Sequence, residues 1–213
     1  GDLKADDYDA IILACGVTPR KPEIEGIDHS RVLNYVDVLR HKKEVGARVA
    51  IVGAGGIGFD VAHFLTHPMD GSSSLNVDEF LKEWGVDRNY QMPGGLQAKR
   101  AEVRSSGRRV YLLQRKSEKM GASLGKTTGW IHRVLLKQRQ VTMLNGIAYE
   151  KIDDEGLHIR HKGENRCLAV DTVVICAGQE PLRNLADDLR DSGKPVQLVG
   201  GADRAVELDA KRA

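Results

Sequence analysis

Residues 49–58 constrain the fold of this chain more than any other stretch. Small and β-favouring residues run directly into the pattern Gly53-x-Gly55-x-x-Gly58, and apolar residues at helical spacing follow it. In such a strand–turn–helix unit the first glycine permits the bend, the second lets the backbone approach a pyrophosphate, and the third allows close helix–strand packing. The pattern therefore predicts a dinucleotide site with phosphate oxygens at the helix N-terminus, rather than a merely structural glycine turn. The candidate binding residues of this loop are Gly53, Ala54, Gly55, Gly56, Ile57 and Gly58.

The end of the next predicted strand, over residues 109–116, indicates which dinucleotide is bound. An NAD site normally offers an acidic residue here, which accepts hydrogen bonds from the ribose 2′-hydroxyl. This chain has Gln114, Arg115 and Lys116 instead. A carboxylate would repel a 2′-phosphate, whereas a guanidinium can bind it through two charge-assisted hydrogen bonds. We therefore expect NADP(H) as the cofactor, the alternative being a solvated strand end with incidental charge.

Length and charge limit the other partners that the chain could have. A chain of 213 residues has room for one domain of ordinary size, or for one domain with pieces of a neighbour. Its 32 basic and 30 acidic residues nearly cancel, so nothing favours nucleic acid or an anionic membrane. No apolar run approaches the roughly 20 residues that cross a bilayer. We expect a small-molecule partner and, because the first apolar run follows an acidic start, no signal peptide.

The cysteines and histidines give no metal-binding pattern. Cys15, Cys167 and Cys176 are odd in number, lie far apart and form no C-x-x-C pair. We interpret them as buried reduced thiols of a cytoplasmic protein rather than as metal ligands. Three histidines share no ligand spacing with a cysteine or an acid, and we interpret them as surface or core residues: His132, His158 and His161.

The remaining pattern predicts an α/β fold with an added antiparallel meander. Short strands are expected at 8–16, 141–144, 171–177 and 196–199, and helices at 36–40, 59–67, 76–84, 125–137 and 205–212. The helix at 125–137 is expected to carry Trp130, Ile131, Val134 and Leu135 on one apolar face, with a basic last turn. Alternating runs at 147–152, 156–161 and 166–170, broken by turn residues, predict the meander.

A repeated plan suggests how the domains are arranged. Residues 171–181 repeat the plan of residues 9–19: a buried strand, a glycine turn and an exit proline. We therefore expect an inserted Rossmann-like NADP-binding domain at 44–177. Partial flanks of an FAD-type domain would lie at 1–43, including a crossover segment at 17–22, and at 178–213, including the return crossover. The long excursion at 69–108 is interpreted as a substrate-side lid, an interdomain contact or an inert insertion.

Five segments together resemble the flavoprotein reductases that have two dinucleotide-binding domains, and most closely the C-terminal portion of bacterial NADPH-dependent 2,4-dienoyl-CoA reductases. They are GAGGIGFD at 53–60, LQRK at 113–116, GKTTGWIHR at 125–133, ICAGQEP at 175–181 and GGAD at 200–203. The resemblance implies that the inserted domain binds NADPH and passes a hydride to FAD. It also implies cofactor contacts for Ala177, Gly178 and Gln179, and an FAD contact for Asp203, which resembles the aspartate of the terminal Gly-x-Asp motif.

The departures from that family are equally informative. Its complete members add an N-terminal barrel with FMN, a cysteine-ligated iron–sulfur cluster and a second glycine loop for FAD, and none of these patterns occurs in residues 1–213. We therefore expect a fragment without catalytic residues, whose partners are the FAD domain and barrel of a parent that reduces 2,4-dienoyl-CoA in unsaturated fatty acid β-oxidation. The alternatives are another barrel-fused flavin reductase resembling trimethylamine dehydrogenase, and a nucleotide-binding module without redox function.

Overall fold

The computed structural model describes residues 8–68, 75–97, 105–190 and 193–206. The chain divides into two compact units, one spanning 23–176 and the other formed by 1–22 together with 177–213. The predicted helix at 205–212 falls mainly on residues outside the described ranges, as do two parts of the excursion, 69–74 and 98–104.

The described elements are twelve short strands and five helices. The strands are β1 Ile11–Leu13, β2 Val17–Pro19, β3 Val32–Asn34, β4 Arg48–Val52, β5 Arg109–Leu113, β6 Thr142–Leu144, β7 Ile147–Asp153, β8 Gly156–His161, β9 Glu164–Leu168, β10 Thr172–Ile175, β11 Gln179–Pro181 and β12 Val196–Leu198. The helices are α1 Tyr35–Leu39, α2 Gly56–Thr66, α3 Val77–Glu83, α4 Gly129–Gln138 and α5 Asn184–Arg190.

The unit of residues 23–176 is built on a five-stranded sheet. The strand order is β3-β10-β4-β5-β6, and every neighbouring pair is parallel. All four residues of β10 and four of the five in β4 are buried, as expected for strands covered on both faces. Helix α2 connects β4 to β5 and helix α4 connects β5 to β6, and the two helices pack against each other. The predicted α/β fold with a Rossmann-like core is confirmed.

The strand order reverses direction at β4. The chain moves from β4 to β5 and β6 on one side, and later returns as β10 on the other side of β4. In open α/β sheets, ligands bind in the crevice outside the carboxyl ends of the strands at such a switch point. Val52, the last residue of β4, is in register with Leu113 of β5 and Ile175 of β10. The residues that follow these three strands therefore leave the sheet at the same edge.

Strands β7, β8 and β9 form the predicted antiparallel meander. Strand β8 pairs with both neighbours, and a register shift interrupts its pairing with β7 between Tyr149 and Lys151. Leu157 and Ile159 of the central strand are fully buried. Alternation of side chains across the meander thus leaves one face buried and the other available to solvent.

The unit formed by 1–22 and 177–213 has two small sheets. Strand β1 pairs with β12 in parallel, and Ile11, Leu13, Ala186 and Leu189 form its core. The segment after β1 was predicted only as a crossover, whereas β2 pairs with β11 antiparallel. Pro19 is tolerated there because a two-stranded ribbon has edges that need no further backbone donors.

Helix α4 differs from its prediction. It begins at Gly129 rather than at 125, since the backbone N–H groups of Thr128 and Gly129 both donate to the Gly125 carbonyl in a preceding turn. Leu135 and Leu136 are buried, but Trp130 and Val134 are 56% and 38% exposed. The predicted apolar face was therefore wrong for these two residues. They lie four positions apart on the solvent side, where the Trp130 indole donates to the Thr127 carbonyl.

The first predicted domain boundary also differs from the compact unit. That unit begins at Glu23 rather than at 44, because β3 pairs with β10 through the register of Val32 with Val173. The edge strand β3 and the short helix α1 therefore belong to this unit, and both come before β4 and the glycine loop in the chain. At the other end the unit closes at Cys176, next to the predicted boundary at 177.

Helix α3, within the excursion, is anchored to the large unit. Asn76 caps it, with its side-chain oxygen accepting from the backbone N–H groups of Asp78 and Glu79. At its last residue, Glu83 accepts a hydrogen bond of 2.8 Å from the buried guanidinium of Arg139. No helix among the described residues is long and apolar enough to span a bilayer.

Candidate functional site

The glycine loop leaves the carboxyl end of β4 and leads directly into α2. Gly53 has a φ of +109°, a conformation that favours glycine, and its N–H donates to the Leu113 carbonyl of β5 at 3.0 Å. A Cβ atom on Gly55 or Gly56 would have no neighbouring atom within 4 Å, and both residues are exposed. The loop therefore presents bare backbone to open space at the switch point of the sheet.

The N-terminus of α2 has donors available for a ligand. Gly55 is the N-cap residue, and it contributes no side-chain hydrogen bond to the first turn. The first backbone N–H groups of a helix have no partner within the helix, and the helix dipole makes this end positive. An anion placed over Gly55 and Gly56 would accept these hydrogen bonds without displacing a protein side chain.

The residues after β5 divide into one with a structural role and two that are free to meet solvent. The Gln114 side chain donates to the carbonyl oxygens of Lys116 and Glu118 at 3.0 and 3.1 Å, which fixes the turn. Arg115 and Lys116 are exposed. Because β4 and β5 are in register, this basic turn and the glycine loop leave the same edge of the sheet. The two predicted groups of binding residues in this unit are thus neighbours.

Tyr149 also lies near the glycine loop, and the sequence alone did not identify it as a candidate site residue. It lies in β7, where the Gly53 backbone and the charge of Arg115 both act on its phenol. Burial raises the pKa of the Tyr149 phenol well above its usual range, although Arg115 and the Gly53 backbone oppose the shift. The phenol is therefore a neutral hydroxyl beside the loop. No spacing rule points to it, since β7 belongs to the meander and approaches the loop only in the folded unit.

Ala177, Gly178 and Gln179 belong to the other compact unit. The Ala177 carbonyl accepts a hydrogen bond from Arg20 Nε at 2.9 Å, and Gly178 has a φ of +102°. A Cβ atom on Gly178 would lie 2.8 Å from the Arg20 guanidinium, so this glycine permits a close approach. Gln179 begins β11 and is in register with Pro19. The segment thus forms a turn between β10 and β11 that a hydrogen bond from Arg20 holds in place.

Asp203 also lies in that unit, at the end of a 3₁₀ turn formed by Gly200–Ala202. Its side chain is exposed, its N–H donates to the Gly200 carbonyl at 3.1 Å, and its carbonyl accepts from Arg183. Gly201 packs closely against the backbone of Gly16, because a Cβ there would lie 3.2 Å from the Gly16 carbonyl carbon. The predicted cofactor residues therefore form two groups, one in each compact unit.

One of the three cysteines differs from its prediction. Cys176 is buried and Cys15 half-buried, but Cys167 is exposed, so the prediction of three buried thiols was wrong for Cys167. It lies in β9, the outer strand of the meander, where the residues from Glu164 to Cys167 are all exposed. The structure also brings ligand atoms of Cys167, His158 and Glu155 within 4.8 Å of one another. Sequence spacing could not show this group because each residue comes from a different strand or turn.

The parallel sheet with a glycine loop at its switch point, joined to an antiparallel meander, is the FAD/NAD(P)-binding fold of pyridine nucleotide reductases. A family model described as "Pyridine nucleotide-disulphide oxidoreductase" matches residues 1–201, and the chain belongs to this oxidoreductase family. Pyridine nucleotide and flavin are the cofactors typical of the family.

Three relatives illustrate the similarity. A metal reductase of Desulforamulus reducens is 22% identical over 195 residues, covering 92% of this chain and 28% of its own length. A cinnamate reductase of Clostridium sporogenes is 22% identical over 209 residues, covering 97% of this chain and 25% of its own. A 2-naphthoyl-CoA reductase solved with 2-naphthoyl-CoA superimposes with a TM-score of 0.71 at 21% identity, over 96% of this chain and 26% of that one. The chain spans about a quarter of the length of the curated relatives it matches.

Proposed function

We propose that this chain is the NADPH-binding domain of a flavin-dependent oxidoreductase, in which NADPH delivers a hydride to FAD. The observation that carries the proposal is the exposed glycine loop at the switch point, with open space over Gly55 and Gly56 beside the basic turn of Arg115 and Lys116. The domain limits predicted from the sequence, 44–177 with flanks at 1–43 and 178–213, are part of this proposal. The compact unit at 23–176 supports a nucleotide domain with an additional edge strand.

The loop fits a pyrophosphate. Its backbone donors at the N-terminus of α2 have no side-chain partner from the N-cap residue, and no atom fills the space that a phosphate would take over Gly55 and Gly56. Ala54 and Ile57 hold the loop through their side chains, which are buried and half-buried. In this assignment the chain binds the pyrophosphate with backbone N–H groups and the positive end of a helix.

The basic turn supports selection of the 2′-phosphate. A hydrogen bond to a charged group contributes about 1.5–3 kcal/mol, which corresponds to roughly tenfold or more in affinity. Gln114 would position the turn through its two hydrogen bonds, whereas Arg115 and Lys116 would contact the phosphate. Tyr149, neutral and next to Gly53, would position the loop and offer a hydroxyl donor.

A flavin does not fit the described residues in the same way. An FAD pyrophosphate requires its own strand, glycine loop and helix N-terminus. In the described parts of 1–22 and 177–213, β1 leads through Gly16 into β2, and no second loop of this kind occurs. Asp203, Ala177, Gly178 and Gln179 would then complete a flavin site whose pyrophosphate cradle lies elsewhere in the parent protein.

The role of this chain in the reaction is to bind and orient the nucleotide. NADPH supplies the hydride when it is bound, and no residue of this chain is assigned a catalytic proton transfer. The glycine loop, held by the bond from Gly53 to Leu113, would fix the pyrophosphate, and the basic turn would fix the adenosine end.

The parent protein is proposed to be a cytoplasmic reductase of 2,4-dienoyl-CoA, with FMN and an iron–sulfur cluster in an N-terminal barrel. The segments shared with 2,4-dienoyl-CoA reductases support this proposal. Two relatives named as reductases of cinnamate and of 2-naphthoyl-CoA are consistent with reduction of a conjugated acyl substrate. The FAD domain and the barrel would be the partners of this chain, with no role for nucleic acid or membrane.

Calorimetric titration of the 213-residue chain with NADPH, NADH and ADP tests the proposal. We expect NADPH to bind most tightly, and Gly55→Val to abolish binding without unfolding the protein, because valine would occupy the space over the loop. Ala169→Val, the same kind of enlargement at an exposed residue just before β10, should bind normally. Equal affinities for ADP and NADPH would favour the trimethylamine dehydrogenase-like alternative. Unchanged binding by a folded Gly55→Val protein would show that the loop is only structural.

A further inference from the structure

The meander places three chemically different side chains in one row. His158 of β8 is in register with Lys151 of β7 on one side and with Cys167 of β9 on the other. Side chains of residues directly opposite each other in antiparallel strands project from the same face. Asp153, the last residue of β7, and Glu155, in the turn that follows, add their carboxylates beside this row.

Three potential ligand groups converge on one nitrogen of His158. Its Nε2 lies 2.9 Å from Asp153 Oδ1, 3.7 Å from Cys167 Sγ and 3.9 Å from Glu155 Oε2. Zinc takes sulfur, imidazole and carboxylate ligands at about 2.0–2.3 Å, so the ligand atoms of a tetrahedral site are about 3.4–3.6 Å apart. The distances from His158 Nε2 to Cys167 Sγ and to Glu155 Oε2 are within about 0.5 Å of that spacing, and the three ligand atoms all lie within 4.8 Å of one another.

We propose that Cys167, His158 and Glu155 form a binding site for a thiophilic divalent cation such as Zn²⁺, with Asp153 as the nearby fourth ligand. Together they supply one sulfur, one nitrogen and carboxylate oxygens, a set that suits zinc and excludes magnesium or calcium as the preferred ion. The site lies on the meander, and it is independent of the nucleotide assignment.

A nucleophilic relay does not account for the same residues. Such a relay needs the carboxylate on one ring nitrogen of the histidine and the thiol on the other. Here Asp153 and Cys167 both face Nε2. A cation at the point of convergence is the arrangement that uses all of these groups at once.

The surroundings of the site are well defined. Gly156 has a φ of +145°, and a Cβ there would lie 2.1 Å from the Leu168 carbonyl oxygen, so this glycine lets β9 approach the turn. Asp153 Oδ1 also accepts from the Glu155 N–H at 3.0 Å, which fixes the turn. The His158 side chain is 20% exposed and that of Glu155 is 78% exposed, which gives an ion a path from solvent.

Two positively charged side chains, Lys151 and Arg31, lie near the cluster. Lys151 Nζ pairs with Asp153 Oδ2 at 2.8 Å, and Arg31 also acts on the Cys167 thiol electrostatically. Lys151 therefore competes with a metal ion for Asp153. Removing this competitor with Lys151→Met should strengthen cation binding. If Asp153 takes no part in the cation site, Lys151→Met should leave cation binding unchanged.

The test is titration of the 213-residue chain with Zn²⁺, and separately with Co²⁺ to follow thiolate-to-metal charge-transfer absorption. We expect one ion per chain and a charge-transfer band. Cys167→Ser should remove the band, and it should weaken Zn²⁺ binding by at least about tenfold, since loss of even an outer-shell partner typically costs that much. His158→Asn and Glu155→Gln should each weaken Zn²⁺ binding as well.

Cys15→Ser and His132→Asn are the matched controls, because they remove the same chemical groups from residues outside the cluster, and they should bind as the unmodified chain does. Circular dichroism of the metal-free variants shows whether each one is folded, and Cys167→Ser changes only one exposed atom. Absence of a charge-transfer band in the unmodified chain would overturn the assignment. Zinc binding that survives Cys167→Ser and His158→Asn, but is lost in His63→Gln, would place the cation on α2 and would overturn it equally.

Discussion

A Cβ atom on Gly58, in the first turn of α2, would lie 2.0 Å from the carbonyl oxygen of Gly53, the first glycine of the same pattern. Real Cβ atoms essentially never approach a backbone oxygen so closely, and the atom in the way is backbone that cannot rotate aside. Gly58 is buried in the first turn of α2, next to a side-chain carbon of Leu112 at 3.5 Å from the same point. The third glycine of the pattern therefore serves packing, and the second serves ligand access.

Gly58→Ala should destabilise the fold, because α2 would have to move away from β4. Overpacking of this kind typically costs about 1–3 kcal/mol. Urea denaturation should show a lower midpoint with an unchanged slope. Gly55→Ala, placed where no atom lies within 4 Å, is the matched comparison and should leave the midpoint nearly unchanged. Equal midpoints for both variants would contradict this division of roles.

The same loop shows how far the sequence alone could lead. The glycine spacing and the apolar strand before it predict β4, the turn and α2, because these features depend on residues close together in the chain. Tyr149 could not be found in this way, since its position beside Gly53 depends on how the meander folds back. The late start of α4 at Gly129 depends on a turn whose backbone bonds leave no mark in the hydrophobic pattern.

The edges of the large unit show a second limit. Strand β3 is three residues long, and its place beside β10 depends on a partner about 140 positions later in the chain. Local reading therefore assigned it to the preceding flank. The Cys167, His158 and Glu155 group was missed for the same reason, because the hairpin register and not the residue spacing brings it together.

Arg115 and Lys116 should determine which nucleotide is preferred. The double variant Arg115→Gln with Lys116→Gln should weaken NADPH binding by roughly tenfold or more, since it removes charged hydrogen-bond donors, and should leave NADH binding nearly unchanged. Calorimetry with both nucleotides provides the measurement. Lys119→Gln, an exposed lysine in the same turn region, is the control. A parallel loss for NADH would mean that these residues act on something other than the 2′-phosphate.

The ion pair of Arg139 with Glu83 should hold α3 of the excursion against α4. The Arg139 side chain is 1% exposed, and it also donates to the His63 carbonyl at 3.2 Å. Glu83→Ala would leave a buried charge without its partner, and breaking such a pair typically costs about 3–5 kcal/mol. Glu79→Ala, which removes an exposed carboxylate of the same helix, should cost much less. Chemical denaturation compares the two, and similar stabilities would show that the pair contributes little.

The loss of Glu83 can be separated from the loss of the helix itself. A double variant, Glu83→Leu with Arg139→Met, replaces both charges by apolar groups and should recover most of the stability lost in Glu83→Ala. Failure of the double variant to recover stability would assign the effect to packing of α3 rather than to the uncompensated guanidinium.

His63 should make the protein less stable in mild acid. Burial lowers the pKa of His63, and the nearby charges of Arg139 and His67 lower it further. In the unfolded chain a histidine binds its proton near pH 6.5, whereas the folded His63 stays neutral until a lower pH. Its contribution to stability is therefore present above about pH 6.5 and is lost as the pH falls below that value. Unfolding free energies at a series of pH values should be flatter for His63→Gln than for the exposed control His41→Gln, and identical slopes would exclude His63 as the cause.

The purified 213-residue chain should carry no flavin. Asp203 is exposed at the end of a short turn, and in the described parts of its compact unit no strand, glycine loop and helix follow one another to hold an FAD pyrophosphate. One carboxylate cannot supply the backbone donors and helix N-terminus that such a group requires. The absorption spectrum should therefore lack a flavin band. Added FAD should not bind under the conditions in which NADPH binds. Stoichiometric FAD in the purified protein would show that this unit builds a flavin site from Ala177, Gly178, Gln179 and Asp203, and the assignment of the pyrophosphate cradle to another part of the parent would be wrong.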